Sequence, residues 1–540
     1  MAGLKTKTRG AAILVAAVVA AVAATLLLAL SGCTPLNLRN FVEQKVQEYE
    51  LAKNPRPILA LKDGAAVVAL DGTVTMPNTI FGDPGTKTLT IENQGNLPLA
   101  LSGPPYVSVT GGAGAAAYSL SQPGQTTIPA GSSVPFDVIF TPPAADTDYA
   151  ATLVINSNDP QNGAYGFGSS GHSTQWHGSK AVVSSSTTVY GSPQIAVAGS
   201  TVYVTYVDTN GINLRKSTDG GKTWVATPFR VSPPTITAGT NHSIVATTGG
   251  DFHLFYYNSS SNVVSYNKWP VGYSAIQSIW SSAALDFQVW QGIQNASIVL
   301  DSGKVYLCYW DHVNLRLRVA VSTDQSNPAA FSFTVYDVTN DTTQKGGFYP
   351  SMKIKSGDIY ISYIDGKSIK LAKASTSSLS SWNYYPVYTD AAYSIGAATL
   401  VADATKGHII YSVSDGSSTL YHASSTDGLG MTTWASDTTL AGENANQSYP
   451  VPFILAGSSL YALYNSSYGG GTNAVRLAVS TDGGASWSKQ WIDTQLSTSS
   501  SNIAIAVSGS NVFTAYSTPS SHPHQYSITV KKSLDGGVTW

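Results

Sequence analysis

A short strand-like pattern recurs seven times in the C-terminal two-thirds of the chain, and this repetition constrains the fold more than any other sequence feature. The copies begin at Val202, Phe252, Val305, Ile359, His408, Leu460 and Val512, about 50 residues apart. Each copy alternates its side chains with the period of a β-strand. A small apolar segment precedes each copy and two further segments follow it, so each repeat supplies four short strands. Four strands at this spacing predict one blade of a β-propeller.

The copy number predicts a seven-bladed propeller over residues 173–540, with a six-bladed ring as the alternative. No fourth strand follows the last repeat, which ends at Trp540. We expect residues 179–183, just before the first copy, to take that place, because pairing the two ends of a ring removes exposed strand edges.

A second motif follows the third strand of several repeats. Ser217-Thr-Asp-Gly-Gly-Lys-Thr-Trp224 returns at 480–487 and 533–540, more loosely at 425–434, and as remnants at 322–324 and 375–382. In such a turn Asp accepts amide hydrogen bonds, Gly supplies positive φ, and Trp attaches the turn to the sheet. The motif resembles the Asp-box, or bacterial neuraminidase repeat, which implies that it is a folding device. The structural box residues are predicted to be Asp219, Trp224, Asp427, Trp434, Asp482, Trp487, Asp535 and Trp540.

Residues 61–172 alternate short strand patterns with turn signals, which predicts an antiparallel β-sandwich. The segments 90–99, 128–136 and 155–160 resemble the Hydin-like, choice-of-anchor D immunoglobulin-like domains of bacterial surface proteins. The resemblance implies a spacer or presenting module. The whole chain is therefore predicted to be all-β, apart from a short N-terminal helical stalk.

The N-terminus has the pattern of a targeting segment. Three basic residues precede an apolar run over 11–30, and Leu30-Ser-Gly-Cys33 follows. The ending resembles the bacterial lipobox, which implies cleavage after residue 32 and a diacylglyceryl group on Cys33. An uncleaved membrane helix is the alternative. The expected location is the bacterial cell envelope, anchored to a membrane through Cys33, with residues 33–60 as linker and helical stalk.

Composition excludes several classes of function. Charged residues are 11% of the chain and the net charge is −2, whereas a nucleic-acid binder needs a cationic surface. No Cys-x-x-Cys, His-Glu-x-x-His or EF-hand pattern is present, so neither a metal nor another cofactor is expected. Cys308, in an apolar strand, is predicted to be an inert core thiol.

A propeller usually binds ligands at the end built by the loops between second and third strands and between blades. Aromatic, Asp and His side chains in those loops suit a glycan or a surface protein through stacking and planar hydrogen bonds. The same residue types also form turns and fill gaps between blades. The candidate ligand-binding residues are Tyr190, Asp208, Trp290, Asp311, His312, Tyr349, Asp365, Tyr393 and Tyr449.

Sialidases are among the Asp-box propellers. This resemblance implies three arginines that bind a carboxylate, a Tyr–Glu pair that acts as nucleophile and base, an Asp that acts as the acid, and an Arg-Ile-Pro motif. The chain has no Arg-Ile-Pro, and Glu443 is the one glutamate of the predicted propeller. Four of its five arginines, Arg215, Arg316, Arg318 and Arg476, fall on predicted third strands near the box and are interpreted as ordinary strand residues. The catalytic residues stay unknown, with Glu443, Asp311 and Asp365 as candidates. Binding or presentation of a ligand is the predicted function, and an exo-acting glycoside hydrolase is the alternative.

Overall fold

The structure is a computed structural model. It describes residues 45–46, 48–144, 146–183, 189–209, 211–232, 242–247, 249–258, 263–269, 297–311, 314–323, 332–339, 346–413, 419–441, 451–468, 472–496, 503–519 and 526–540. Contacts divide the chain into two compact units, Met1–Gln175 and Trp176–Trp540. Nearly all described regular structure is β, as predicted. Residues 45–46 and 48–53, within the predicted stalk, are helical. In the described part of the chain, no helix has the length and apolarity needed to cross a membrane.

Besides the helical residues 45–46 and 48–53, the described part of the first unit has twelve short strands and one 3-10 helix. The strands are β1 (Leu59–Asp63), β2 (Ala66–Val68), β3 (Thr73–Thr75), β4 (Thr79–Ile80), β5 (Gly85–Asn93), β6 (Leu99–Ala100), β7 (Val107–Gly111), β8 (Tyr118–Leu120), β9 (Thr127–Ile128), β10 (Ser133–Phe140), β11 (Asp148–Asn156) and β12 (Ala164–Thr174), and the helix is Ala115–Ala117.

These strands form two main sheets that share one core. One sheet has the order β2-β1-β5-β10-β8; the other has β3-β12-β11-β7, with β4 also on β12, while β6 pairs with β9. The predicted antiparallel arrangement is wrong for β3 and β4, which pair parallel with β12. Along β10, Val134, Phe136, Val138 and Phe140 are buried and alternate with more exposed residues. They pack with buried residues of the other sheet, such as Leu153 and Phe167, so the unit is a two-sheet sandwich.

The second unit contains the remaining strands. They are β13 (Gly178–Val183), β14 (Val189–Ala198), β15 (Thr201–Asp208), β16 (Gly211–Ser217), β17 (Phe229–Arg230), β18 (His242–Ala246), β19 (Phe252–Asn258), β20 (Val263–Trp269), β21 (Ser297–Asp301), β22 (Lys304–Asp311), β23 (Arg316–Ser322), β24 (Phe333–Asp337), β25 (Gly346–Lys355), β26 (Asp358–Asp365), β27 (Ser368–Ser375), β28 (Ser378–Thr389), β29 (Ile395–Ala402), β30 (Gly407–Val413), β31 (Leu420–Ser425), β32 (Trp434–Ala441), β33 (Phe453–Ala456), β34 (Ser459–Tyr468), β35 (Thr472–Ser480), β36 (Ser488–Leu496), β37 (Ile503–Ser508), β38 (Asn511–Pro519) and β39 (Tyr526–Ser533), with a 3-10 helix at Gly428–Gly430.

Within the described residues these strands form seven antiparallel sheets. The orders are β14-β15-β16-β17, β18-β19-β20, β21-β22-β23-β24, β25-β26-β27-β28, β29-β30-β31-β32, β33-β34-β35-β36 and β13-β39-β38-β37. The first strand of each sheet contacts the first strand of the next, and β37 contacts β14. This cyclic succession of small sheets is the architecture of a β-propeller.

The ends of the array meet in one sheet. β13 pairs antiparallel with β39, with Ser179 opposite Lys531 and Ala181 opposite Thr529. The predicted use of residues 179–183 as the missing outer strand is therefore confirmed.

Antiparallel pairing gives each sheet two distinct ends. The hairpin between first and second strands and the Asp-box turn after the third strand lie together; Gly220 of a box, for example, donates its amide to the carbonyl of Ser200 in such a hairpin. We call this the box end. Loops between second and third strands and the connections between sheets lie at the other end, which we call the loop end.

Candidate ligand-binding site

At the box end, each complete Asp-box closes on itself through its aspartate. The Asp482 carboxylate accepts hydrogen bonds from Ser480 Oγ at 2.8 Å and from the amide and hydroxyl of Ser486 at 2.9 and 2.5 Å. Ser480 Oγ in turn accepts the amide of Gly484 at 2.8 Å. Asp219 and Asp535 accept corresponding bonds in their own turns. Asp427 accepts the amide and hydroxyl of Thr432.

These bonds favour the ionised carboxylates. The hydroxyl and amide of Ser486, with the hydroxyl of Ser480, lower the pKa of Asp482 to about 2. At Asp535, desolvation raises the pKa, but hydrogen bonds from Thr539 and Ser533 outweigh it and lower the pKa to about 2. A carboxylate committed to its own turn is poorly placed to act on a ligand.

The tryptophan of the Asp-box forms a hydrogen bond within its turn even where the aspartate is missing. Trp224, Trp487 and Trp540 donate Nε1–H to the carbonyl of the second box glycine at 3.0–3.1 Å, and Trp434 donates to the Met431 carbonyl at 3.0 Å. In the remnant at 375–382, Trp382 donates equally to the Leu379 carbonyl at 2.9 Å. The anchoring of the turn by Trp therefore does not depend on the aspartate.

At the loop end, two arginines and two aspartates of one sheet form a network. Arg318 of β23 forms an ion pair through Nη1 with Asp311 Oδ2 at 2.7 Å and donates a hydrogen bond from Nε to Asp337 Oδ1 at 2.9 Å. Arg316 pairs with the other oxygen of Asp337. Asp311 is fully buried, and its oxygens also accept the amide of Asn314 at 3.0 Å and the Asn314 side-chain amide at 2.8 Å.

The network, which lies at the loop end, corrects the interpretation of Arg318 as an ordinary strand residue near the box. Its side chain is 10% exposed and holds two carboxylates, whereas the Arg316 and Asp337 side chains keep about a third of their surface exposed. The sequence signal was the alternation Arg316-Leu-Arg318, which places both guanidinium groups on one face of β23. Asp337 could not be found in the same way, because it lies on the next strand after a long connection.

The other loop-end aspartates are also close to cations from third strands. Asp365, at the end of β26, forms an ion pair with Lys370 of β27. Asp208 is 6% exposed at the end of β15. Burial raises the pKa of the nearby Tyr206. The charge of Arg215 acts against this rise and the charge of Asp208 adds to it, so both charged groups lie near the Tyr206 phenol.

A β-bulge places two aromatic side chains at the start of β25. The register shifts on both sides of Phe348, and Tyr349 has φ of 53°, in the left-handed region that bulky residues rarely adopt. Phe348 is 36% exposed and lies against Trp310, with ring centroids 5.2 Å apart. Trp310 immediately precedes Asp311, and its buried indole N–H has no acceptor among the described residues. Tyr349 packs into the core between this sheet and the next.

Tyr393 is held on a short loop between sheets. Asp390 accepts the amides of Ala392 and Tyr393 at 2.8 and 2.7 Å and the Tyr388 hydroxyl at 2.9 Å. Lys367 Nζ donates to the Ala392 carbonyl at 2.7 Å. Tyr393 itself is 47% exposed. The loop thus presents an aromatic ring from a hydrogen-bonded support.

Several candidate residues cannot be placed. Cys33, Trp290, His312, Glu443 and Tyr449 lie outside the described residues, and for Tyr190 only the backbone, in β14, is described. Asp311 and Tyr349 belong to neighbouring sheets at the loop end, and Tyr393 lies on the connection that follows the sheet of Asp365. No group of three or more His, Cys, Asp or Glu side chains suited to a metal ion occurs within the described ranges.

Comparison with known proteins gives distant likenesses in fold. No protein-family model matches the chain, and no curated protein matches it. Among solved structures, the polysaccharide lyase Uly1 is similar with 10% identity and a TM-score of 0.46, over 64% of this chain and 90% of that one. The phage phi92 endosialidase has 12% identity and a TM-score of 0.39, over 67% and 70%. The intramolecular trans-sialidase from Ruminococcus gnavus has 12% identity and a TM-score of 0.33, over 63% and 93%. The activities named belong to those proteins.

Proposed function

We propose that the second unit is a seven-bladed β-propeller that binds a glycan at its loop end, next to Trp310 and Phe348. The observation that carries the proposal is a partly exposed aromatic ring at the same end of the sheet as a charged network. Phe348 lies against Trp310 near the end of β22, and the next residue of that strand, Asp311, joins the Arg318 network on the opposite face of the sheet. Sugars bind to proteins through such a combination of a flat apolar face and planar hydrogen-bonding groups.

The charge balance favours a neutral glycan. Arg316 and Arg318 carry two positive charges, and Asp311 and Asp337 carry two negative ones. An acidic ligand would have to displace Asp337 from two guanidinium groups, whereas a neutral sugar can bond to the exposed edges of Arg316 and Asp337 without breaking the network.

The same network favours binding over hydrolysis. Glycosidases need two carboxyl groups that reach the substrate. Both oxygens of Asp311 are occupied by Arg318 and Asn314, and Asp365 is held by Lys370. The carboxylates of both candidate catalytic residues are therefore already engaged in contacts within the protein. An exo-glycosidase would depend on Glu443 and a second carboxylate.

The experiment is a screen of neutral and acidic oligosaccharides against the intact protein, followed by affinity measurement for a retained neutral one. Phe348→Ala should weaken binding about tenfold, because the stacking face is lost. Val538→Ala, which removes an exposed apolar side chain at the box end, is the matched control and should leave affinity unchanged. Equal affinity of both variants and the wild type would refute the site. Turnover of a chromogenic glycoside that Glu443→Gln abolishes would establish the hydrolase instead.

We further propose that the protein is a cell-envelope lipoprotein, with the sandwich unit as an immunoglobulin-like spacer between the lipid and the propeller. The lipobox-like Leu30-Ser-Gly-Cys33 supports this. Labelled palmitate should be incorporated by the wild type expressed in bacteria and not by Cys33→Ser. Incorporation by both proteins would refute lipidation at Cys33.

A further inference from the structure

The first strands of the seven described sheets enclose the axis of the ring. β14, β18, β21, β25, β29, β33 and β37 each contact the next in cyclic order, and each is covered on its outer side by the second strand of its own sheet. Between the two ends of the ring, solvent can therefore reach these strands only from an axial channel. Many of their residues, such as Val245, Val299 and Ile454, are partly exposed, so this channel admits solvent.

Lys353 is a charged residue in the wall of this channel. It lies on β25, paired with Tyr360. In five other sheets, the first-strand residue that pairs with the second-strand residue equivalent to Tyr360 is small or apolar. These residues are Ala196, Val245, Val299, Ile454 and Ala506. β29 contributes Thr399 and Leu400 near this level. Apart from Lys353, the described residues at this level of the wall are uncharged.

The ammonium group of Lys353 has no counter-ion within the part of the chain that the structure describes. No hydrogen bond or ion pair to Lys353 occurs among the described residues, whereas two lysines on other strands of the unit have carboxylate partners. Lys373 lies 3.2 Å from Asp358 and Lys268 lies 3.0 Å from Asp251. Burial alone lowers the pKa of Lys353, with no carboxylate to raise it. A cation in apolar surroundings without an opposite charge is costly to the folded state.

We propose that the axial channel binds a small oxyanion, a carboxylate or a phosphate, at the ammonium group of Lys353. Because the described residues around Lys353 in the wall carry no opposite charge, an oxyanion that enters the channel meets no competing carboxylate at the ammonium group. The bound anion offsets the cost of the unpaired ammonium. The site lies in the wall of the channel and is separate from the glycan site at the loop end.

The test compares unfolding temperatures of the intact protein in rising phosphate or acetate, with chloride adjusted to hold ionic strength constant. An anion that binds only the folded state raises the unfolding temperature of the wild type. Lys353→Met should be more stable than the wild type in chloride alone and should not respond to either anion. Lys353→Arg, which keeps the charge, should respond like the wild type. The two anion series show which oxyanion the channel prefers.

Lys355, two residues further on at the end of β25, provides the matched control. Lys355→Met should keep the full response to the preferred anion. In the wild type, that anion should also slow acetylation of Lys353 by acetic anhydride relative to Lys355, measured by mass spectrometry. An equal response of the wild type and Lys353→Met, or equal acetylation of the two lysines with and without the anion, would overturn the proposal.

Discussion

Two histidines buried in the propeller unit predict a marked loss of stability in acid. His422 is 1% exposed, with its Nε2 3.1 Å from Nδ1 of His408, whose Nε2 is 3.1 Å from Asp403. Trp487 of the next sheet packs against the imidazole, with ring centroids 5.6 Å apart. Burial, then the charges of His408 and Lys406, lower the pKa of His422 to about 3.

His253, on β19 of the sheet β18-β19-β20, is buried in a similar way. It is 1% exposed, and its Nδ1 lies 2.6 Å from the Tyr266 hydroxyl. Burial, followed by the charge of Lys268, lowers its pKa to about 4, with Asp251 acting in the opposite direction. Both histidines are therefore neutral in the folded protein at neutral pH.

The sign and size of the effect follow from proton linkage. An unfolded histidine has a pKa near ~6.5, above both folded values, so the unfolded chain binds more protons as pH falls. The contribution of each neutral histidine to stability is fully present above the unfolded pKa and is lost as the pH falls from there toward the folded pKa. Between about pH 7 and about pH 4.5, each histidine costs the folded state about 2–3 kcal/mol, and the two together about 5 kcal/mol.

The assay is urea unfolding of the wild type, His422→Gln and His253→Gln at these two pH values. Each variant should lose about 2–3 kcal/mol less stability on acidification than the wild type. The effects should add in the double variant, since the sites lie on separate sheets. If the variants lose as much stability in acid as the wild type, the reasoning is wrong.

Two further predictions concern packing and charge. Gly484→Ala places a Cβ 2.1 Å from the His422 ring at φ of +93°, whereas Gly457→Ala meets no atom within 4 Å at φ of +61°. The second substitution should cost about 1–2 kcal/mol from backbone strain alone, and the first clearly more, as measured by urea unfolding; equal costs would contradict the packing. Arg318→Met leaves the buried Asp311 charge unpaired and should destabilise the protein by about 3–5 kcal/mol. Adding Asp311→Asn should recover part of this in calorimetry, and no recovery would show that the ion pair is not the cause.

The repeats were sufficient to predict the positions of the strands. All seven copies of the alternating pattern fall on second strands, from β15 to β38, because period-2 alternation with turns on both sides is a local signal. The closing role of β13 was predictable from the strand count alone. The turns after third strands followed from Ser, Asp, Gly and Trp within eight residues.

The details of the site depend on contacts between distant residues. The bulge at Phe348 and Tyr349 depends on how β25 packs against the sheet before it, and an alternating sequence does not show such a register shift. The pairing of Arg318 with Asp311 and Asp337 joins three strands, so no single segment contains it. Lys353 lies in an ordinary alternating strand, and the missing partner becomes evident only when the neighbouring strands are in place.

Hydrogen exchange of residues 178–183 tests the closed ring most directly. If β13 completes the last sheet, those of its amides that face β39 should exchange as slowly as the amides of β38 and β39, since they bond to β39, whereas the outward-facing amides of this edge strand should exchange faster. Exchange of this segment at the rate of an unpaired chain, with β38 and β39 still protected, would contradict the closure and with it the propeller account of the second unit.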